Sequence, residues 1–148
     1  HLASLRAIPD LLVLRPCDGM EVAECLEIAL KTRNRPSALI LTRQEVPFLR
    51  TCCNQLAKMG GYVIHENENA KCTLIATGSE VGLAFEVNEI LGGDTRIVSI
   101  PCFELFKEFL AFSDFFFLKG IVSYQEATAS IMGQSIIIQK FGTFWFLG

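Results

Sequence analysis

The chain has no apolar run long enough to cross a membrane. A spanning helix needs about 20 consecutive apolar residues, whereas the most apolar segment, FLAFSDFFFL at residues 109–118, is about half as long and contains Asp114. The uncharged run at residues 127–139 is also too short. The opening HLASLRAIPD starts with histidine and lacks the apolar centre of a signal peptide, which predicts an internal stretch of a longer protein. We therefore expect no membrane association.

Metal-binding and nucleic-acid-binding patterns are missing as well. The 6 cysteines form no C-x-x-C pair, and the 2 histidines, His1 and His65, lie far from any cysteine pair. Zinc needs four ligands that usually come from short paired spacings, so no zinc site is predicted. Reduced cysteines of a cytoplasmic protein are the simpler interpretation. The net charge is −3 and the sequence has no block of basic residues, so nucleic-acid binding is not predicted either.

What the chain does have is an alternation of buried strands and amphipathic helices. With 51% apolar and 20% charged residues it can form a packed core. Residues 11–14 (LLVL) and 38–41 (ALIL) are short apolar runs typical of buried parallel strands. Between them, Asp18 and Glu21 have capping-box spacing, which predicts a helix to about Lys31. Its apolar positions share one face and are expected to be buried: Val22, Cys25, Leu26, Ala29 and Leu30.

The second part of the chain repeats this pattern after an irregular segment. Residues 44–61 contain Pro47 and two adjacent glycines, and predict a linker with a short helix near 53–58. Helices are predicted from the turn at 77–80 to about residue 91, and over 103–112. The strands are predicted at residues 62–64, 72–76, 96–100, 120–124 and 136–139. Alternation of this kind predicts an open, mainly parallel sheet with helices on both faces.

Phrases of the sequence resemble the transketolase family in the same order and with similar spacing. HLASLRAIPDLLVLRPCDGMEVAECLEIAL and PSALILTRQEVP are similar to the end of the family's pyrimidine-binding domain, and GGYVIHE, LIATGSEVGLAFEVNEIL and TRIVSIPCFELFKE to the start of its C-terminal domain. The resemblance implies a partial pyrimidine-binding domain at 1–48, a linker at 49–61 and a three-layer α/β/α domain at 62–148. It fades after about residue 108, where FLAFSDFFFLKG replaces a charged segment of the family.

The resemblance also implies a function. Transketolases use thiamine diphosphate and Mg²⁺ to transfer a two-carbon ketol unit from a ketose phosphate to an aldose phosphate. The family's diphosphate and metal site and its activating glutamate precede residue 1, so this chain is expected to be inactive alone. It would act in a homodimer or with a chain that supplies the N-terminal part, in the cytoplasm. The competing hypothesis is a non-catalytic α/β module for subunit assembly or small-ligand binding.

One functional residue follows from the resemblance. Thr42-Arg43-Gln44 matches the family's [ST]-R-Q motif, whose arginine binds the sugar phosphate. The carboxyl end of a parallel strand faces the ligand crevice, and a guanidinium fork suits a phosphate dianion. From the residues alone, an arginine just after a strand, such as Arg43, is more often a solvated or ion-paired side chain. We predict no catalytic, cofactor-binding or metal-binding residue within the chain.

Three weaker candidates remain. The turn at residues 77–80 offers backbone amides to an anion, although Ser79 is a sufficient helix N-cap. Arg15 and Asp18 bracket a strand-to-helix turn, and we expect them to form an internal ion pair or caps. Cys102 is a reactive thiol only if its pKa is lowered, and its neighbours in the sequence do not favour that.

Overall fold

The computed structural model describes residues 2–52, 54–112, 136–140 and 143–147, with side chains as far as residue 109. The predicted strand at 120–124 lies outside these ranges. Helices and strands follow the predicted alternation closely. In chain order they are α1 (Leu2–Arg6), β1 (Leu12–Leu14), α2 (Gly19–Lys31), β2 (Ser37–Leu39), a 3₁₀ helix (Leu56–Met59), β3 (Tyr62–His65), β4 (Cys72–Ala76), α3 (Glu80–Ile90), β5 (Thr95–Ser99), α4 (Phe103–Phe112), β6 (Ile136–Lys140) and β7 (Thr143–Leu147).

The first part of the chain is a parallel strand pair joined by a capped helix. β1 and β2 pair in parallel, with Leu12 opposite Ser37. The Asp18 carboxylate accepts a hydrogen bond from the Glu21 amide at 2.7 Å, as the capping-box spacing predicts. The Glu21 carboxylate accepts from the amide of Cys17 at 2.6 Å, one residue before the Asp18 amide that a capping box normally uses. The helix ends at the predicted residue, Lys31.

The buried face of α2 differs from the predicted one. Glu21, Glu24 and Cys25 are buried, whereas Leu26 and Leu30 are 47% and 69% exposed. Apolar periodicity indicates a shared helix face, but the neighbouring elements decide which face is covered. Here the covered side contacts the 3₁₀ helix and the polar groups of residues 49–57, so its carboxylates are enclosed.

The second part of the chain contains a mixed five-stranded sheet. The strand order is β3-β5-β4-β6-β7, in which β4 and β5 pair in parallel and the other three described pairs are antiparallel. The described part of this sheet is therefore mixed rather than mainly parallel, with parallel pairing at β4–β5, while the β1–β2 pair is parallel as predicted. The connection between Lys140 and Thr143 is too short for the crossover that parallel pairing needs, so β6 and β7 pair antiparallel.

Helices cover both faces of this sheet. Leu74 and Ala76 of β4 share a cluster with Val81 of α3. Ile75, which points to the opposite face, shares a cluster with Phe106 of α4. Fully burying an aliphatic or aromatic side chain of this size stabilises the fold by about 1.5–3 kcal/mol. The expected three-layer α/β/α arrangement is present in the described residues.

A third apolar cluster joins the two parts. It combines Leu12 and Leu14 of β1 with Cys25 of α2, Ala57 of the 3₁₀ helix and Cys102. The two parts thus contribute side chains to one shared apolar cluster in the described ranges. Within those ranges no helix is long and apolar enough to span a bilayer.

Candidate functional site

Arg43 lies at the carboxyl edge of the parallel strand pair. The Ile40 amide donates to the Leu14 carbonyl at 2.8 Å, so pairing continues just past the end of β2. Beyond it, the Gln44 amide donates to Thr42 Oγ1 at 3.1 Å and closes a local turn. Arg43 is at the tip of this turn and is exposed. No hydrogen bond or ion pair links it to another residue that the structure describes.

Arg15 follows β1 at the same edge, but its guanidinium is engaged by the second part of the chain. Nη1 donates to the Thr77 carbonyl at 3.1 Å, and Nη2 lies 2.7 Å and 2.6 Å from the two carboxylate oxygens of Glu80. The predicted ion pair between Arg15 and Asp18 is therefore wrong, while the prediction of Asp18 as a cap is confirmed. Glu80, the partner of Arg15, is 65 positions away in sequence, so residues near Arg15 in the chain could not predict this pair.

The turn before α3 is shaped by this contact. Gly78 has a φ of +61°, and a Cβ there would lie 2.8 Å from Arg15 Cγ, so glycine lets the arginine cross the turn. Ser79 occupies the N-cap position, as predicted, but its backbone is already helical and its side chain makes no capping hydrogen bond. The Glu80 carboxylate at this helix start is paired with Arg15, and a role of the turn in anion binding stays a prediction.

A buried carboxylate, Glu21, connects the two parts of the chain. It is 0% exposed, and its Oε1 accepts from the Tyr62 hydroxyl at 2.7 Å and from the Ser99 hydroxyl at 2.9 Å. Burial and the nearby Glu21 charge raise the pKa of Tyr62, so the phenol stays a hydrogen-bond donor. Burial, followed by the same charge, also raises the pKa of the Cys17 thiol. Sequence patterns place Glu21 in the capping box but give no sign of its distant partners.

Glu24, one turn further along α2, holds the segment that leads to the 3₁₀ helix. Its Oε1 accepts from the Gln55 amide at 3.0 Å and from Arg50 Nη1 at 3.2 Å, and its Oε2 accepts from the Ala57 amide at 3.1 Å. The Asp18 carboxylate accepts from the Arg50 amide at 3.1 Å. Three carboxylates of α2 and its cap thus satisfy backbone donors that burial would otherwise leave unpaired. This network fixes the segment between Arg43 and β3.

Other chemistry is not supported at the described residues. They contain no group of three or more His, Cys, Asp or Glu side chains placed to hold a metal ion. Burial raises the pKa of the Cys102 thiol to about 12, so this thiol is protonated and unreactive at neutral pH.

The fold and the site define a class: an α/β protein in which a parallel strand pair, with an exposed arginine at its carboxyl edge, packs on a three-layer domain. The model of the transketolase pyrimidine-binding domain matches residues 1–48, and the model of the transketolase-like C-terminal domain matches residues 60–140. The chain belongs to the transketolase family, as its sequence phrases predict.

Individual relatives agree with this assignment. Transketolase from Cereibacter sphaeroides is 45% identical over 111 residues, which make up 72% of this chain and 17% of that protein. A solved transketolase variant from Pichia stipitis, in complex with fructose 6-phosphate, has a TM-score of 0.72 and 34% identity over 80% of this chain and 18% of its own. The chain thus spans about a sixth (17%) of the length of the curated relative.

A more distant structure shares the fold alone. It is a split-gene transketolase described as an inactive β4 tetramer, with a TM-score of 0.60 and 23% identity over 68% of this chain and 34% of that chain.

Proposed function

We propose that this chain is the C-terminal portion of a thiamine-diphosphate-dependent transketolase, with the domain division 1–48, 49–61 and 62–148. The complete enzyme would transfer a two-carbon ketol unit from a ketose phosphate to an aldose phosphate. The observation that carries the proposal is the match of two successive transketolase domain models on one chain. The relative solved with fructose 6-phosphate supports phosphorylated sugars as substrates.

Within this enzyme, Arg43 would bind the sugar phosphate. Its exposure, its position at the carboxyl edge of two parallel strands and the absence of a partner among the described residues support this role. A guanidinium can donate two parallel hydrogen bonds to a phosphate, which orients the sugar as well as holding it. Arg15 cannot serve in the same way, because Thr77 and Glu80 already occupy its donors.

The carbanion chemistry would be completed outside this chain. Thiamine diphosphate, when bound with Mg²⁺, supplies the electron sink for the ketol unit. The chain covers only 17% of the length of its curated relative, so the chain by itself is expected to be inactive. The remaining part would come from the same polypeptide or from a partner chain, in a cytoplasmic homodimer or a split assembly. The fold likeness to a split-gene transketolase is compatible with a partner chain.

The role of Arg43 is tested in an assembled enzyme. The chain is combined with the part of Cereibacter sphaeroides transketolase that precedes the aligned stretch, and ketol transfer is measured with thiamine diphosphate and Mg²⁺. Arg43→Ala should raise KM for phosphorylated sugars roughly 10- to 100-fold, the cost of losing charged hydrogen bonds of about 1.5–3 kcal/mol. KM for an unphosphorylated ketol donor should not change.

Arg33→Ala is the matched control, because Arg33 is also exposed and its removal changes the net charge equally. An unchanged KM in the Arg43 variant, or an equal increase in the Arg33 variant, would refute the phosphate-binding role. Ketol transfer by the isolated 148-residue chain would refute the proposal that the chain is inactive by itself. Tight association of the chain with the Cereibacter sphaeroides part, without any ketol transfer, would favour the alternative of a non-catalytic module for subunit assembly.

A further inference from the structure

The loop that carries Arg43 returns to the core through residues 45–50, which we call the return arm. Its first residue, Glu45, is exposed like Arg43, whereas its last residue, Arg50, is only 8% exposed. An exposed loop without fixed ends samples many backbone conformations. The contacts of the return arm therefore determine how narrowly the position of Arg43 is defined.

The end of the return arm is tied to the start of α2. Asp18 Oδ2 accepts hydrogen bonds from the amides of Leu49 at 3.3 Å and of Arg50 at 3.1 Å. Asp18 is 1% exposed, and its other carboxylate oxygen caps α2 at the Glu21 amide. A shift of the arm would leave buried polar groups without partners, which is costly. This end of the loop is therefore fixed.

The second part of the chain holds the same residue by its side chain. Leu49 is half-buried and packs against an apolar cluster that includes Val81 and Ala84 of α3 and Leu74 and Ala76 of β4. These two elements lie within residues 60–140, which match the transketolase-like C-terminal domain. The return arm is thus anchored on both parts of the chain, by its backbone on one and by its side chain on the other.

A second contact with α3 lies nearer to Arg43. The Cγ and Cδ atoms of Pro47 are 3.5 Å from where a Cβ of residue 82 would lie, so the proline ring rests on Gly82. Glycine is a poor residue for a helix interior, but at this position it leaves room for the ring. A proline ring is closed on its own backbone nitrogen. A large side chain at position 82 would therefore displace the backbone of the return arm together with the ring.

These contacts give the C-terminal part of the chain a role in substrate binding. We infer that α3, through Gly82 and the cluster that holds Leu49, positions Arg43 for the phosphate group of the sugar. Gly82 and Leu49 are positioning residues, because they act on the phosphate through Arg43. A guanidinium fork meets phosphate oxygens in a defined geometry, so a shift of about 1 Å is enough to weaken binding. The inference rests on the proposed function, which assigns the phosphate to Arg43.

The test uses the assembled enzyme, in which the 148-residue chain is combined with the preceding part of Cereibacter sphaeroides transketolase. Gly82→Phe places a ring where Pro47 lies, and Leu49→Ala releases the return arm from the cluster. Each should raise KM for a phosphorylated ketol donor about three- to tenfold, while kcat and KM for an unphosphorylated donor stay unchanged. In the Arg43→Ala background neither should raise KM further, because the arginine that they position is gone.

Leu83→Phe is the matched control. Leu83 is the next residue of α3, is 48% exposed and points about 100° away from Gly82 around the helix, so its replacement should change neither KM. Circular dichroism should show the wild-type helix content for all variants. Equal increases in KM for both donors, an equal effect of Leu83→Phe, or a further increase in the Arg43→Ala background would overturn the inference.

The Arg43→Ala variant separates this inference from the proposed function. If Arg43→Ala raises KM for the phosphorylated donor and the Gly82 and Leu49 variants do not, the phosphate-binding role stands and positioning by α3 fails. If Arg43→Ala leaves that KM unchanged, the phosphate-binding role fails, and the positioning role fails with it.

Discussion

Replacing Glu21 by alanine removes the acceptor that links α2 to the second part of the chain. The carboxylate is fully buried and accepts three hydrogen bonds, from the Cys17 amide at 2.6 Å, the Tyr62 hydroxyl at 2.7 Å and the Ser99 hydroxyl at 2.9 Å. The variant leaves these three donors without their acceptor and opens a cavity between α2 and β3. It therefore perturbs the join between the two parts rather than one helix.

The magnitude follows from the number of donors. A buried donor that loses its partner costs about 1–3 kcal/mol, and Glu21→Ala leaves three such donors without their acceptor. We expect Glu21→Ala to lower the free energy of unfolding by about 3–5 kcal/mol, a large part of the roughly 5–15 kcal/mol of an ordinary domain. Tyr62→Phe removes a single donor and should lower it by about 1.5–3 kcal/mol.

Urea unfolding followed by far-ultraviolet circular dichroism measures both changes. Glu27→Ala is the matched control, because Glu27 lies on the same helix and makes only an exposed ion pair with Lys31, worth less than about 0.5 kcal/mol. The expected order of destabilisation is Glu21→Ala, then Tyr62→Phe, then Glu27→Ala. A free energy of unfolding for Glu21→Ala equal to that of Glu27→Ala would refute the role of Glu21 as the buried acceptor.

Two further predictions use the contacts between the two parts. Gly78→Ala should destabilise the protein more than Gly92→Ala in the same urea assay. Both glycines have positive φ (+61° and +77°), which costs an alanine about 1–2 kcal/mol, but only a methyl group at position 78 would meet Arg15. Equal effects of the two substitutions would contradict this packing. The hydrogen bond from Arg35 holds the pKa of Glu108 below its ordinary value, so the pair contributes stability above the unfolded-state pKa and loses it as pH falls through the folded-state pKa. Carboxyl titration by NMR should place the pKa of Glu108 higher in Arg35→Ala, and an unchanged pKa would disprove the pairing.

Local structure was predictable wherever neighbouring residues satisfy one another. The capping box of Asp18 and Glu21 sets the start of α2, and the predicted bounds of the strand at 72–76 and the helix at 103–112 agree with the structure. These features depend on hydrogen bonds and apolar spacing within a few positions of the chain. The family followed from phrases in register, and the comparisons confirm it. The phosphate-binding role of Arg43 and the domain bounds stay predictions.

The sequence by itself thus determined the order of the elements, the family and the arginine that follows β2, because each is encoded in short stretches. Only the tertiary structure decided what the charged side chains contact. It pairs Arg15 with Glu80 instead of Asp18, and it encloses Glu21 while leaving Leu30 in solvent. The physical reason is that a helical pattern reports which residues share a face, whereas burial depends on the surfaces that residues far along the chain, or outside it, bring to that face.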